Sequence, residues 1–462
     1  MQYSIVNYKT VKENSDFRID AEYYHPIYLV IHEKIKSKNN VLFFSKIKKI
    51  SSGKNLPQID NGKYKFIRTQ NIRPILIDDS GMSETDNVNN LKLLKKGDML
   101  FVRVGEGVGN SSIVTENYSK NAFSDNILKL EIKEINPFFC SVFFNSTIGQ
   151  TYFKRVFKGT ARSLISQENF KDIFIPVFND FFQNLIQSLI EKSQEFIKKS
   201  KFLYSQAEQL LLSELELLNW KPKHELAFVK NFSDTQKAGR IDAEYFQPKY
   251  DEVIEMIKKY KGGYDELRGL VKIKDKNFTP KDNETYKYIE LSNISSNGGI
   301  DGYMENFGNE LPSRARRKVQ KDDIIISSIE GSLESIALIT ENWTNSLCST
   351  GFFVVNPDQI NPETFLVLMK TKIGQLQLKR GCKGTILTAI GKDELLNITL
   401  PKIDSDIQIK IKDKIIEMYR AKHLSKSLLE IAKLGVEIAI EKNEEEAEKW
   451  IHYELEKIGE NL

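Results

Sequence analysis

A nine-residue stretch that occurs twice decides the fold of this chain. The sequence reads RIDAEYYHP at 18–26 and RIDAEYFQP at 240–248, 222 positions later. The matches continue in order: IRTQNI (67–72) with IELSNI (289–294), then KGDMLFVRV (96–104) with KDDIIISSI (321–329), which are 225 apart. We expect this offset to change once, at one small loop insertion. A chain of 462 residues is too long for one ordinary core, so we interpret it as a duplicated unit of roughly 220 residues.

Each copy follows the same order of predicted elements. A short extended opening leads to DAEYxxP, which could open a helix with its aromatic side chains packed on the lobe. GDMLFVRV and DDIIISSI are predicted as buried strands because they are rich in Val and Ile. NPFFCSVFFNSTIGQTYFKRV (136–156) is predicted as a helix capped by Asn136 with Pro137 first, and Asn361 and Pro362 repeat this start. A strand ending at Pro176 or Pro401 closes each copy.

A long helix is predicted after each copy, with a seam that steps by four and three residues over about four heptads. Small or polar residues occupy several seam positions, which favours close packing in one specific pair. Two like units related by a two-fold axis would place these helices antiparallel, each roughly 50 Å long. Two amphipathic helices packed separately on their own lobes are the weaker alternative. The apolar seam positions are Ile186, Ile190, Ile197, Tyr204, Leu211, Ile411, Ile415, Met418, Leu429 and Val436.

Composition limits the possible classes of protein. The net charge is +4, but basic residues cluster at 46–73 and 313–321, which suggests a polyanionic partner. A solvated lysine-rich surface is the alternative. Three scattered cysteines and five scattered histidines argue against disulfides and structural zinc. The start of the sequence lacks a signal-peptide pattern, and no apolar run reaches the length of a membrane span, so we expect a cytoplasmic protein without a cofactor.

Motifs that resemble active sites occur only once in the duplicated sequence. FVRVGEGVG (101–109) resembles a loop that holds S-adenosylmethionine, NPFF (136–139) resembles an adenine methyltransferase motif, and DNILKLEIK (125–133) has a nuclease-like spacing. The second copy reads IISSIEGSL, NPET and TGFFVVNPD at those places. We therefore expect a binding protein. A self-contained methyltransferase or nuclease, and a coiled-coil scaffold with two protein-binding lobes, are the alternatives.

The whole layout resembles the specificity (S) subunit of Type I restriction–modification enzymes. The resemblance is carried by DAEYYHP/DAEYFQP, by KGDMLFVRVGEG/KDDIIISSIEGS and by KGTARSLISQENFKDIFIP/KGTILTAIGKDELLNITLP, together with their order and the paired seams. It implies a non-catalytic α+β protein with two pseudo-symmetric α/β target recognition domains joined by two long antiparallel coiled-coil helices. Each domain would read one half of a bipartite, asymmetric site on double-stranded DNA.

The resemblance also implies partners and boundaries. The helices would set the gap between half-sites and dock two methyltransferase (M) subunits, through which restriction motor–nuclease (R) subunits join. We expect target recognition domains at 1–179 and 221–403, conserved helices at 180–220 and 404–440, and an acidic tail at 441–462. The tail departs from the family layout. It carries Trp450, Ile451, Leu455 and Ile458 on one face, and it could dock a partner, fold back or fray.

Candidate DNA contacts are basic and amide side chains in loops after strands. Arg and Lys suit guanine, Asn and Gln suit adenine, and Lys, Arg, Ser and Thr suit phosphates. KGT is common to both copies and is expected to be a phosphate-contacting or turn element. For each single residue, a solvated side chain is the alternative. The candidates are Lys54, Arg68, Gln70, Asn71, Arg73, Arg103, Lys158, Thr160 and Arg162 in the first copy, and Ser292, Asn293, Arg314, Arg316, Arg317, Lys379, Arg380, Lys383 and Thr385 in the second.

Overall fold

The computed structural model describes residues 4–12, 18–86, 88, 93–105, 107–157, 164–384 and 388–461. These residues form a mixed α+β fold, as predicted, with two compact units. Unit 1 comprises residues 1–197 and 422–462, and unit 2 comprises residues 198–421. Each unit thus combines one copy of the repeat with a part of each long helix. Within the described ranges, no helix is long and apolar enough to cross a membrane.

Three sheets build unit 1. The largest is antiparallel, and a second sheet joins one antiparallel and one parallel neighbour to its middle strand. In sheet order the strands are Ile47–Ser52, Ile127–Ile132, Met99–Val102 and Ser111–Ile113; then Ser83–Thr85, Tyr64–Ile67 and Ala122–Phe123; and last the pair Asn40–Leu42 and Phe174–Pro176. Met99–Val102 is buried along its length, so the predicted core strand is confirmed.

Unit 2 repeats this arrangement. Its two larger sheets contain Val271–Ile273, Phe352–Pro357, Ile324–Ser327 and Ile336–Leu338, and then Met304–Phe307, Thr285–Ile289, Leu347–Ser349 and Ala315–Lys318. Its two-stranded sheets pair Tyr264–Glu266 with Thr399–Pro401 and Cys382–Lys383 with Ala389–Ile390. The parallel pairing of Ile289 with Cys348 matches that of Ile67 with Phe123 in unit 1. The predicted strands that end at Pro176 and Pro401 are confirmed.

The helices also repeat from one unit to the other. Unit 1 contains Tyr8–Lys12, Pro26–Lys36, Pro137–Asn145, Thr147–Lys154 and Glu444–Lys457. Unit 2 contains Phe232–Ala238, Pro248–Lys258, Leu267–Leu270, Pro362–Lys370, Lys372–Gly381 and Lys392–Leu396. The two long helices are Asp180–Glu214 and Ser405–Glu441. The predicted N-caps are confirmed, because Asn136 accepts from the Phe138 amide and Asn361 from the Thr364 amide.

The single helix predicted from Asn136 is wrong, because the chain forms two helices that break at Ser146. The Ser146 hydroxyl accepts from the Gly149 amide at 3.0 Å and starts the second helix. A Cβ at Gly149 would lie 1.8 Å from the Phe143 carbonyl oxygen, so only glycine fits this close approach. Thr371 and Gly374 form the same break in unit 2. The repeated IGQ is therefore a helix junction.

The offset between copies changes more often than predicted. The Phe43 amide donates to the Ile173 carbonyl, and the Leu267 amide donates to the Ile398 carbonyl, each at 2.8 Å. This equivalence places Phe43 and Leu267 two residues further apart than the RIDAEY motifs. A register shift between Ile47 and Lys49 in unit 1 then reduces this difference in offset from two residues to one. Short insertions and a β-bulge absorb such changes at little cost in these loops.

The parts of the long helices inside each unit pack on each other. In unit 1, the Ser193 and Ser425 hydroxyls lie 2.8 Å apart, and a Cβ at Gly435 would approach Ile186 at 3.9 Å, so the helices run antiparallel there. In unit 2, Lys414 Nζ donates to Gln206 Oε1 at 2.9 Å. Seven predicted apolar seam residues are buried and three are half-buried, the latter being Ile197, Tyr204 and Leu429. Because Ser193 and Ser425 are small, the two helices can approach each other closely at this point of the seam.

The acidic tail folds back onto unit 1 as a helix, Glu444–Lys457, which begins with Asn443 accepting from the Glu446 amide. Its Ala447, Ile451 and Leu455 are buried in the core of unit 1. The carboxylate of Glu444 accepts from the Asn179 amide at 2.5 Å. Of the three expectations for the tail, folding back is the one observed.

Candidate nucleic-acid interface

The arginine of the RIDAEY motif holds the start of each lobe to a later part of the same unit. We call this set of contacts the clasp. In unit 1, the guanidinium of Arg18 donates two hydrogen bonds to the Asp20 carboxylate, at 2.8 and 3.0 Å. Its third nitrogen donates to the Arg155 and Phe157 carbonyls, each at 3.3 Å. Its face lies 4.7 Å from the centre of the Tyr23 ring. The motif thereby joins the start of the lobe to the end of the second of the paired helices.

Unit 2 repeats the same clasp. Arg240 donates to Asp242 at 2.7 and 3.0 Å, and it donates to the Arg380 and Cys382 carbonyls at 3.3 and 2.9 Å. The Arg240 guanidinium lies 4.5 Å from the Tyr245 ring centre. A bidentate arginine–carboxylate pair fixes geometry as well as charge. The motif is therefore a structural anchor in both units, as the sequence predicts.

Several loops of unit 1 converge on the turn after strand Ala122–Phe123. The Lys54 amide donates to the Phe123 carbonyl at 3.1 Å, and the Arg103 amide donates to the Asn126 carbonyl at 2.9 Å. The Ser124 amide donates to the Ile67 carbonyl, one residue before Arg68, at 2.9 Å. These bonds bring Lys54, Arg68 and Arg103 together. We call this group, with Asp125 and Asn126, rim 1.

A matching rim exists in unit 2. The Ser328 amide donates to the Gly351 carbonyl at 2.9 Å, and the Ile390 amide donates to the Ser328 carbonyl at 2.8 Å. The Thr350 amide donates to the Arg314 carbonyl at 2.9 Å, which brings that exposed arginine to the same edge. Ile289 pairs with Cys348, which places Glu290 beside the same turn. We call the group Glu290, Arg314, Ser328 and Thr350 rim 2.

The candidates of unit 1 differ in how free their side chains are. Lys54, Gln70 and Arg73 are exposed, and Arg73 lies 3.7 Å from Asp78. Arg68 is half-buried and donates to Gln58 at 3.3 Å. Arg103 is half-buried, and its Nε atom is buried without a hydrogen-bond partner among the described residues. Arg68 and Arg103 are thus two half-buried cations whose backbones meet at one edge of unit 1.

Asn71 and Asn293 occupy a different environment from the one predicted. Asn71 is buried, its Oδ1 accepts from the Arg68 amide at 3.0 Å, and its Nδ2 donates to the Asp78 carbonyl at 2.9 Å. Asn293 Oδ1 accepts from the Glu290 amide at 2.8 Å in the same kind of turn. These amides hold a turn in place, so neither carbonyl oxygen is open to a base without breaking that turn. The duplicated QNI/SNI pattern could have indicated this role, because a residue common to both lobes serves the framework.

The candidates of unit 2 divide in the same way. Ser292 and Arg314 are exposed, and Arg316 donates to the Ser313 carbonyl at 3.1 Å. Four basic side chains have partners within unit 2. Arg317 donates to the Asp275 carbonyl, Lys379 lies 3.9 Å from Glu244, Arg380 pairs with Asp251 at 2.9 Å, and Lys383 pairs with Glu394.

Arg380 also lies over the Tyr245 ring at 4.9 Å, as Arg155 lies over Tyr23 at 4.1 Å. Arg380 is therefore part of the clasp and is not a free cation. Lys158, Thr160, Arg162 and Thr385 lie outside the described residues. The structure thus assembles rim 1 from Lys54, Arg68 and Arg103, while most cations predicted near 379–383 serve the framework.

Three further exposed polar side chains lie at or beside rim 1 and were not among the candidates predicted from the sequence. Gln58 is exposed and accepts from both Arg68 and Ser83, the latter at 2.7 Å. Asp125 and Asn126 are exposed at the turn on which the loops converge. Asp125 and Asn126 form a polar pair directly before strand Ile127–Ile132, in a loop position that is typical of binding residues.

Among the residues that the structure describes, no group of three or more His, Cys, Asp or Glu side chains could hold a metal ion. The three cysteines are free and buried. Burial raises the pKa of the Cys382 thiol to about 11, so this sulfur stays protonated at neutral pH.

Comparison with known proteins gives only distant similarity. No family model and no curated protein matches the chain. Thirteen chains of solved structures do match, and three of them illustrate the likeness. The S subunit of a Type I restriction–modification system from M. genitalium is 15% identical, with 87% of this chain and 94% of that chain covered and a TM-score of 0.41. The HsdS subunit from Thermoanaerobacter tengcongensis is 13% identical, with 88% and 97% covered and a TM-score of 0.30.

The third structure was solved in a study of complex assembly and conformational transition of the type I R-M system. It is 12% identical, covers 92% of this chain and 97% of that one, and has a TM-score of 0.27. All three neighbours thus come from Type I restriction–modification systems and match over most of the chain. At these identities and TM-scores, the likeness supports no inference about activity, ligands or partners.

Proposed function

We propose that this chain is the DNA-sequence-specificity subunit of a Type I restriction–modification complex and has no catalytic role. One observation carries this proposal. The two units share the same framework, but their rims present different side chains. The clasps recur bond for bond, and the caps of Asn136 and Asn361 and the helix junctions at Ser146 and Thr371 recur at equivalent positions. The rims instead carry different side chains on equivalent loops. Such a design suits two similar modules that read different sequences.

The chemistry of rim 1 favours DNA over a protein partner. Lys54, Arg68 and Arg103 offer positive charge and planar donors, and Asn126 and Gln58 offer amides. These groups suit phosphates and base edges in the major groove. A protein-binding surface would instead be expected to present apolar and aromatic anchors at its centre.

We further infer that each unit reads one half of a split, asymmetric site. The long helices would fix the gap between the halves and dock two methyltransferase subunits, which in turn recruit the motor–nuclease subunits. DNA offers two-fold axes perpendicular to its length, which suits a reader that carries two like modules.

The test uses the chain purified with its partner methyltransferase. Duplexes selected from a random library are expected to share two short blocks with a fixed gap. Changing that gap by one base pair, with both blocks intact, provides the matched control and should weaken binding at least tenfold. Affinity should also fall steeply with salt because bound phosphates release counterions.

Each alternative predicts a different result. A scaffold with two protein-binding lobes would select no DNA sequence. A self-contained methyltransferase or nuclease would bind S-adenosylmethionine or modify DNA as the isolated chain. Either result would overturn the proposed function.

A further inference from the structure

The two rims carry opposite chemistry at positions that their backbone bonds make equivalent. The Arg103 amide donates to Asn126 and its carbonyl accepts from Ile165, at 2.9 and 3.1 Å. The Ser328 amide and carbonyl make the matching bonds with Gly351 and Ile390, at 2.9 and 2.8 Å. Arg103 and Ser328 therefore occupy the same place in their units, directly after the buried strands.

A second equivalent pair shows the same contrast. The Arg68 amide donates to Asn71 Oδ1 and the Glu290 amide to Asn293 Oδ1, at 3.0 and 2.8 Å. Unit 1 thus presents two arginines where unit 2 presents an acid and a serine. The Ser328 hydroxyl donates to the Gly351 carbonyl at 2.9 Å, so it is used inside unit 2.

Arg103 differs from the arginines of the framework. Arg155 donates through its Nε to the Tyr23 carbonyl at 3.2 Å, and Arg380 pairs with Asp251. Arg103 makes no ion pair with a described residue, and its buried Nε, like that of Arg380, has no hydrogen-bond partner among them. Because this Nε is enclosed, a ligand with two adjacent acceptors would bind the terminal nitrogens of the half-buried side chain.

We propose that Arg103 reads a guanine in the half-site of unit 1 and that unit 2 reads no guanine from the equivalent Ser328. Guanine presents O6 and N7 side by side in the major groove, and the guanidinium fork matches both acceptors. A phosphate also accepts from arginine, but it carries no sequence information. The two ligands therefore predict different losses on mutation.

The experiment measures methylation by the purified complex of this chain and its methyltransferase on a library with randomised half-sites. Wild type and Arg103→Ala are compared, with Lys258→Ala, an exposed residue of unit 2 outside both rims, as the control. Arg103→Ala is expected to lose roughly 10- to 100-fold of the preference for guanine at one position of one half-site. The other half-site and the gap should not change, and Lys258→Ala should leave every position unchanged.

A second variant keeps the test valid if the alanine variant does not fold. Arg103→Gln retains a long polar stem and should shift the preference at the same position from guanine toward adenine, which Gln recognises. Unchanged base preference, or an equal loss for all sequences as expected of a phosphate contact, would overturn the assignment of Arg103. This inference rests on the proposed function, which fails separately if the wild-type complex yields no split motif.

Discussion

A buried lysine in unit 1 has a counterpart on a different strand in unit 2, and this difference can be tested by transplantation. Lys129 is 1% exposed and lies 3.1 Å from Asp98 and 3.0 Å from Glu131. Burial raises the pKa of Asp98, whereas the hydrogen bond from Lys129 lowers the pKa of Glu131. Asp98 therefore depends on Lys129 to remain charged inside the protein.

Unit 2 satisfies the equivalent aspartate from Lys274, which directly follows strand Val271–Ile273. Asp323 is fully buried, and Lys274 donates to its two oxygens at 2.6 and 2.9 Å. Asn356 donates to the same carboxylate at 3.0 Å. The Lys274 amide pairs with Val354, as Ser51 pairs with Lys129 in unit 1. Lys129, Glu131 and Ser51 thus correspond to Val354, Asn356 and Lys274.

Lys129→Val breaks a buried ion pair and should destabilise unit 1 by about 3 kcal/mol. This is the lower end of the usual range of losses, which we choose because Glu131 is partly exposed. That loss speeds amide exchange in strand Met99–Val102 about a hundredfold. The triple variant Ser51→Lys, Lys129→Val, Glu131→Asn copies unit 2 and should recover stability to within about 1 kcal/mol of wild type, the range of a partly exposed pair.

Hydrogen-exchange mass spectrometry of the full chain measures both units at once. Strand Ile324–Ser327 of unit 2 is the internal control and should keep its protection in all of these variants. Lys274→Ser is the mirror variant and should affect that strand alone. The reasoning is refuted if Lys129→Val leaves Met99–Val102 protected, or if the triple variant recovers nothing.

Three further predictions concern unit 1. Burial lowers the pKa of His32 to about 3, so below pH 6.5 the unfolded chain binds a proton that the folded chain does not bind, and stability falls as the pH drops. At pH 5.5 the expected loss of unfolding free energy is about 1.4 kcal/mol. A denaturant titration of His32→Phe should not show this loss. Gly435→Val would place a Cβ 2.6 Å from Ile451, so faster exchange in Glu444–Lys457 is expected, and unchanged protection would contradict this packing. Arg68→Ala should reduce base selection in one half-site only. If the variant selects bases as wild type does at both half-sites, Arg68 is not a DNA contact.

The duplicated sequence was sufficient to predict several features of the framework, but not the helix break at Ser146. Because each element occurs in both copies, a prediction made for one copy could be checked against the other. This comparison correctly predicted the caps at Asn136 and Asn361 and the strand ends at Pro176 and Pro401. The same comparison separated anchors from candidate contacts, since the RIDAEY clasp serves both units. Applied to Asn71 and Asn293, it would have assigned those amides to the framework as well.

Other features depend on contacts that no sequence pattern carries. The break at Ser146 arises because the Phe143 carbonyl approaches Gly149, which requires the tertiary packing of the two helices. The partners of Arg317 and Lys383 lie 42 and 11 residues away along the chain. Whether a cation is free or paired is decided by such distant neighbours, so rim 1 could be assembled only from the structure.

The most direct test of the central claim is sequencing of modified bases across the genome of host cells with and without this chain. If the chain selects the sequence for a partner methyltransferase, one motif of two short blocks around a fixed gap loses its adenine methylation when the chain is deleted. Loss of a continuous motif, or an unchanged set of marks in cells that express an active partner methyltransferase, would contradict the claim.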